Sequence, residues 1–69
     1  MITYRIKGDH ITLIQLLKVL NWVENGGEAQ AAVLAGQVSY NGAVDHRKRL
    51  KVRVGDVVAF EGKQVRIIE

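Results

Sequence analysis

Residues 25–42 read NGGEAQAAVLAGQVSYNG, and this stretch carries a helix start, a helix stop and a chain reversal. Asn25 suits a helix N-cap, because its short side chain can accept a bond from a free amide of the first turn. Glu28, three residues on, completes a capping box. Ala29, Ala32 and Val33 follow helical spacing and form a narrow apolar face. Gly36 is placed to end the helix in a left-handed conformation. Val38-Ser39-Tyr40 then leads into Asn41-Gly42, the strongest two-residue hairpin signal.

Upstream, Thr12 and Gln15 form a second capping box, with Ile11 and Leu16 placed as a hydrophobic staple. Leu13, Leu16, Leu17, Leu20 and Val23 follow helical spacing, which predicts an amphipathic helix over about Thr12 to Trp22. The link to the second helix is so short that the two must pack together. Before them, Ile2 to Lys7 alternates apolar and polar residues, a half-buried strand closed by Gly8-Asp9.

Downstream the chain reads as strands. Leu50, Val52 and Val54 alternate with Arg49, Lys51 and Arg53, which predicts a strand with its apolar side to the core. Gly55-Asp56 turns the chain. Val57 to Phe60 and Gln64 to Ile68 are two strands around Glu61-Gly62. Strand, helix, helix and several strands make a small α+β domain, two packed helices on an antiparallel-rich sheet.

The chain has 69 residues, so we read 1–69 as one domain. At this size folding buries only about 60% of the unfolded chain's surface, so the core is thin. Cysteine is absent and no disulfide reinforces it; an apolar content of 48% suffices for a compact core. No apolar run approaches the roughly 20 residues of a membrane span. The N-terminus lacks the apolar segment of a signal peptide. The expected location is cytoplasmic, with no membrane partner.

Net charge is +3, and five of the ten Lys and Arg residues lie between 47 and 53: Arg47, Lys48, Arg49, Lys51 and Arg53. No acid interrupts that run. On one strand face such residues stand ~6–7 Å apart, close to the phosphate spacing of a nucleic-acid backbone. The bland alternative is a solvated strand face whose charges keep an edge from aggregating. A basic run alone does not separate RNA from DNA, acidic lipid or an acidic protein.

Asn25-Gly26-Gly27 is a second candidate. A helix start offers free amides and a positive dipole end, and glycine permits close backbone approach. Its bland reading is a flexible link. Lys18 projects from the polar face of the first helix as a lone cation. Trp22, Tyr40 and Tyr4 could stack on bases, but so few aromatics are better spent on the core.

Enzymatic chemistry finds no support. His10 and His46 have no cysteine or suitably spaced partner for a metal site. Ser39 is the only serine and lies in a predicted strand, so no nucleophile–base pair is visible. The glycines match neither a Walker-type nor a dinucleotide loop. We expect no catalytic residues, no metal, no cofactor and no small-molecule substrate.

Together, the capped helix, the second helix ending in glycine, Val38-x-Tyr40-Asn41-Gly42, the basic stretch and Val54-Gly55-Asp56-Val57-Val58 resemble the RNA-binding domain named after ribosomal protein S-four. The resemblance spans about Ile11 to Ile68. ITLIQLLK, NGGEAQ and DHRKRLKVRVGDVV look most like its stand-alone bacterial YaaA/YbcJ-like subfamily. It implies the alpha-L RNA-binding motif, in which the two helices and the following hairpin share one RNA-contacting surface. By this resemblance Lys18, Asn25, Gly26, Gly27, Gln30 and the basic residues from Arg47 to Arg53 would face structured RNA, ribosomal or transfer, with a role in ribosome assembly. One departure stands out: Gln30 occupies a place where the subfamily commonly has lysine, and the second helix has no basic residue at all. A protein-interaction module docking its basic face on an acidic partner is the competing reading.

Overall fold

A computed structural model describes residues 1–69. The elements are β1 (Ile2–Arg5), β2 (Ile11–Thr12), α1 (Leu13–Val19), α2 (Gly26–Leu34), β3 (Val38–Tyr40), β4 (Ala43–Val44), β5 (Lys51–Val52), β6 (Val57–Phe60) and β7 (Lys63–Ile68). Five strands form one sheet in the order β1-β7-β6-β3-β4, and β2 pairs with β5 separately. All pairings are antiparallel except that of β1 with β7, which is parallel. This is the α+β architecture expected from the sequence.

The helices begin where their caps dictate. Thr12 Oγ1 accepts the Gln15 amide at 3.4 Å, and Asn25 Oδ1 accepts the Glu28 amide at 2.8 Å. Glu28 Oε1 reaches back to the Glu24 amide at 3.2 Å, one residue outside the usual capping-box partner. Both helices close in a Schellman motif. In α2, Gly36 (φ 75) donates to the Val33 carbonyl and Gln37 to that of Ala32. In α1, Asn21 (φ 58) donates to the Lys18 carbonyl and Trp22 to that of Leu17. The first helix therefore stops at Val19, earlier than expected, because Asn tolerates the left-handed region well enough to serve as its stop.

Fourteen residues are buried, and all of them are apolar. Val38, Val58, Phe60, Val65 and Ile67 from the sheet pack with Leu13, Leu16, Leu17, Ala29, Ala32 and Val33 from the helices in one cluster. The alternation along each strand puts Ser39, Val57, Ala59, Gln64 and Arg66 on the opposite face. No charged or polar residue is buried as a whole, so the polar and charged side chains lie at or near the surface. The three aromatics named above are half-buried against the core; the Trp22 ring stacks on Phe60 at 6.4 Å between centroids.

The hairpin at Asn41-Gly42 forms as expected, with Tyr40 opposite Ala43 and φ of 51° and 90° at the two turn residues. The strand expected over Leu50 to Val54 does not form. Only Lys51 and Val52 pair, because their partner β2 is two residues long and ends at Thr12, the cap of α1. Val52 is buried and Leu50 half-buried, but Val54 is exposed instead of facing the core. It sits at the first corner of a β-turn, in which the Asp56 amide donates to the Arg53 carbonyl at 3.0 Å. Gly55, with φ 92, occupies the second corner, the glycine position of a type II turn.

Candidate nucleic-acid interface

The basic stretch is a loop of two β-turns flanking a two-residue strand. The first turn runs from Arg47 to Leu50, whose amide donates to the Arg47 carbonyl at 3.1 Å. Lys48 and Arg49 are its corners, so their side chains project outward. The Leu13 amide at the start of α1 donates to the Leu50 carbonyl at 2.9 Å and fixes the loop against the helices. The second turn, Arg53 to Asp56, returns the chain to β6. As a result the cations do not stand in a straight row. Arg47, Arg49, Lys51 and Arg53 converge, with Leu50, on one open concavity of about 420 Å³.

Asp56 holds this loop in place. Its Oδ2 accepts the Tyr40 hydroxyl at 2.6 Å and the Arg53 amide at 2.9 Å, and its Oδ1 accepts from Asn41 Nδ2 at 3.2 Å. Asn41 Oδ1 in turn accepts the Val57 amide at 2.8 Å. One carboxylate therefore ties the hairpin Tyr40-Asn41 to the turn that carries Arg53. Burial pushes the Asp56 carboxyl up, but the Tyr40, Arg53 amide and Asn41 bonds outweigh it and hold it below the usual 3.8. The same hydrogen bond, reinforced by burial, raises the Tyr40 phenol above 10.0.

The cations are not equivalent. Arg47 grips Asp45 through Nε at 3.0 Å and Nη2 at 2.7 Å. Arg53 Nη1 lies 2.5 Å from Asp9 Oδ2. These bonds hold both carboxyls below the ordinary 3.8. Lys48, Arg49 and Lys51 have no carboxylate within ion-pair distance. An exposed ion pair is weak and is readily exchanged for another anion. The concavity thus offers two free cations, Arg49 and Lys51, and two that must trade a partner.

Lys48 does not line the concavity, and neither do Lys18, Asn25, Gly26, Gly27 or Gln30. Lys18 is exposed in the last turn of α1, ~7.5 Å along the helix axis from Leu13. Gln30 is exposed on α2. At the start of α2, Asn25 Oδ1 already holds the Glu28 amide, and the Glu28 carboxylate lies in the same first turn, bound to the Glu24 amide. That arrangement weakens the pull of this helix end on a phosphate. The supporting groups that sequence reasoning missed are Asp56, Asp45 and Asp9. The local signals are Asp45, two residues before Arg47, and Asp56, following glycine in a turn.

No group of three or more His, Asp or Glu side chains is arranged to hold a metal ion. No helix is long and apolar enough to cross a membrane.

A family model described as the S4 domain matches residues 4–68. The chain is 42% identical over 62 residues to the Escherichia coli protein named "Putative RNA-binding protein YbcJ", covering 90% of this chain and 89% of that one. It is 39% identical over 57 residues to the Bacillus subtilis protein named "Probable ribosome maturation protein RlbA", covering 83% and 80% of the two chains. The solution structure of YbcJ from Escherichia coli, described as containing an αL motif involved in RNA binding, superposes with a TM-score of 0.76 at 40% identity. That superposition covers all of this chain and 89% of the other.

Proposed function

The chain belongs to the S4 domain family, and on that premise we propose that it is a non-catalytic, cytoplasmic RNA-binding module made of a single domain, 1–69. The observation that carries the reading is the convergence of Arg47, Arg49, Lys51 and Arg53 on one open concavity with Asp56 bracing it from behind. Four cations around an open, shallow site suit a phosphodiester backbone, whose charge supplies most of the affinity of such interfaces.

Arg49 and Lys51 provide the primary phosphate contacts, with Lys48 on the outer corner of the loop. Arg47 and Arg53 join by exchanging Asp45 and Asp9 for phosphate. Lys18, Gln30 and the backbone at Asn25, Gly26 and Gly27 add secondary contacts along the helices. The target is structured RNA. The names of two relatives, one an RNA-binding protein and one a ribosome maturation protein, favour ribosomal RNA and a role in assembling the ribosome.

Binding of the purified protein to ribosomal RNA, transfer RNA and matched duplex DNA tests the proposal. RNA binds more tightly than the duplex DNA. Arg49→Ala weakens it more than Arg47→Ala, since Arg47 must first give up Asp45. Failure of all three nucleic acids to bind at moderate salt contradicts the reading and favours an acidic protein partner.

A further inference from the structure

We infer that the RNA path continues past Arg53, across Asp9, into a second phosphate-binding concavity built from Tyr4, Arg5, Lys7 and His10. The inference rests on the RNA-binding reading above.

The pairing of β2 with β5 sets Ile11 opposite Val52 and Thr12 opposite Lys51. Followed backward from Ile11, the chain therefore runs alongside Arg53, and the Asp9–Arg53 ion pair closes the seam between them. On the far side of that seam lies an open concavity of about 380 Å³, lined by Tyr4, Arg5, Ile6, Lys7, His10 and Ile11. Its lining combines apolar and aromatic side chains (Tyr4, Ile6, Ile11) with the cations Arg5 and Lys7, a mixture that suits the base or ribose and the phosphate of a nucleotide. Arg5 and Lys7 have no carboxylate within ion-pair distance, although the chain carries seven acidic residues. The loop is held at both ends, by the Ile6 amide donating to the Ile68 carbonyl at 3.0 Å and by the β2–β5 pairing.

His10 supplies an independent observation. Its Nδ1 is sealed from solvent and has no hydrogen-bond partner. Asp9 Oδ2 lies 3.5 Å away, a loose approach, and the same oxygen accepts the much shorter bond from Arg53 Nη1. A buried polar nitrogen without a partner is costly. When a phosphate draws Arg53 away, the Asp9 carboxylate is released and has an acceptor's place waiting at His10 Nδ1. The one acid between the two basic concavities can thus withdraw from the path of an RNA strand.

Three variants test this against ribosomal RNA in a salt series: Arg5→Ala/Lys7→Ala, Asp9→Asn, and Lys48→Ala/Arg49→Ala/Lys51→Ala as a control on the underlying reading. Thermal melts establish that each is folded. The Arg5/Lys7 variant binds several-fold more weakly, and its salt slope falls by about 1.4–1.8, the share of two phosphates. Asp9→Asn binds several-fold more tightly, because a like charge leaves the seam. If the Arg5/Lys7 variant binds as the wild type while the triple variant is impaired, the second concavity is off the path and the RNA-binding reading survives. If the triple variant also binds as the wild type, the reading itself is wrong. Unchanged or weaker binding by Asp9→Asn overturns the role of the seam.

Discussion

The Tyr40 hydroxyl donates to Asp56 Oδ2 at 2.6 Å, across sixteen residues of chain. This bond links the hairpin to the basic loop, and the loop's shape depends on it. Tyr40→Phe removes the bond and leaves the Arg53 and Asn41 bonds in place. A hydrogen bond to a half-buried carboxylate is worth about 1–2 kcal/mol. Urea unfolding of Tyr40→Phe shows a loss of that size, and Asp56→Ala shows a larger one, since it abolishes three bonds.

The same pair shapes stability at both ends of the pH scale. Asp56, Asp45 and Asp9 are all held below 3.8 in the folded chain. The unfolded chain therefore takes up protons first as pH falls. Their contribution is complete above about pH 4 and disappears as pH drops through the lowered folded values. Tyr40 is raised above 10.0, so its contribution is present below pH 10 and fades as pH climbs through the raised value. Thermal melts across pH show both edges, and Asp56→Asn weakens the two together, leaving the share of Asp45 and Asp9 in the acid edge.

Gly55 has a φ of 92° at the second corner of the Arg53–Asp56 turn, and no atom lies within 4 Å of where a side chain would begin. Gly55→Ala is thus a backbone effect without a clash. It costs about 1–2 kcal/mol. Because Arg53 leads into that turn, RNA affinity falls as well. Calorimetry and RNA binding on the same sample separate the two effects.

At the start of α2 the backbone asks for no glycine. Gly26 has open space around it, and a Cβ at Gly27 would meet Asn25 Oδ1 at an ordinary 3.4 Å. Gly27→Ala therefore stabilises the domain, by about 0.4–1 kcal/mol. If RNA approaches this helix start closely, the same change weakens RNA binding. Opposite signs in a thermal melt and a binding curve identify Gly27 as a contact, and equal affinity removes it from the interface.

Much of the fold could be read locally. Asn25, Glu28 and Gly36 bracket the second helix, and Asn41-Gly42 sets the hairpin, because each acts through neighbours three or four residues away. Asn21 is the same kind of signal, but leucine and valine spacing runs past it and masks the stop. The basic stretch misleads for a different reason. Its alternation suits a strand, but strand length is set by the partner, and the partner ends at the cap of α1. The inequality of the cations is also invisible locally in part. Asp45 lies two residues from Arg47, whereas Asp9 and Arg53 are forty-four apart and meet only through the β2–β5 pairing.

The most direct test is the salt dependence of ribosomal RNA binding by the wild type and by Lys48→Ala/Arg49→Ala/Lys51→Ala. These three cations have no acidic partner, and their side chains are exposed, so the fold is retained. The account predicts weaker binding with a slope lower by about 2–3, the share of three phosphate contacts. An unchanged slope and affinity would contradict it and move the site away from the loop.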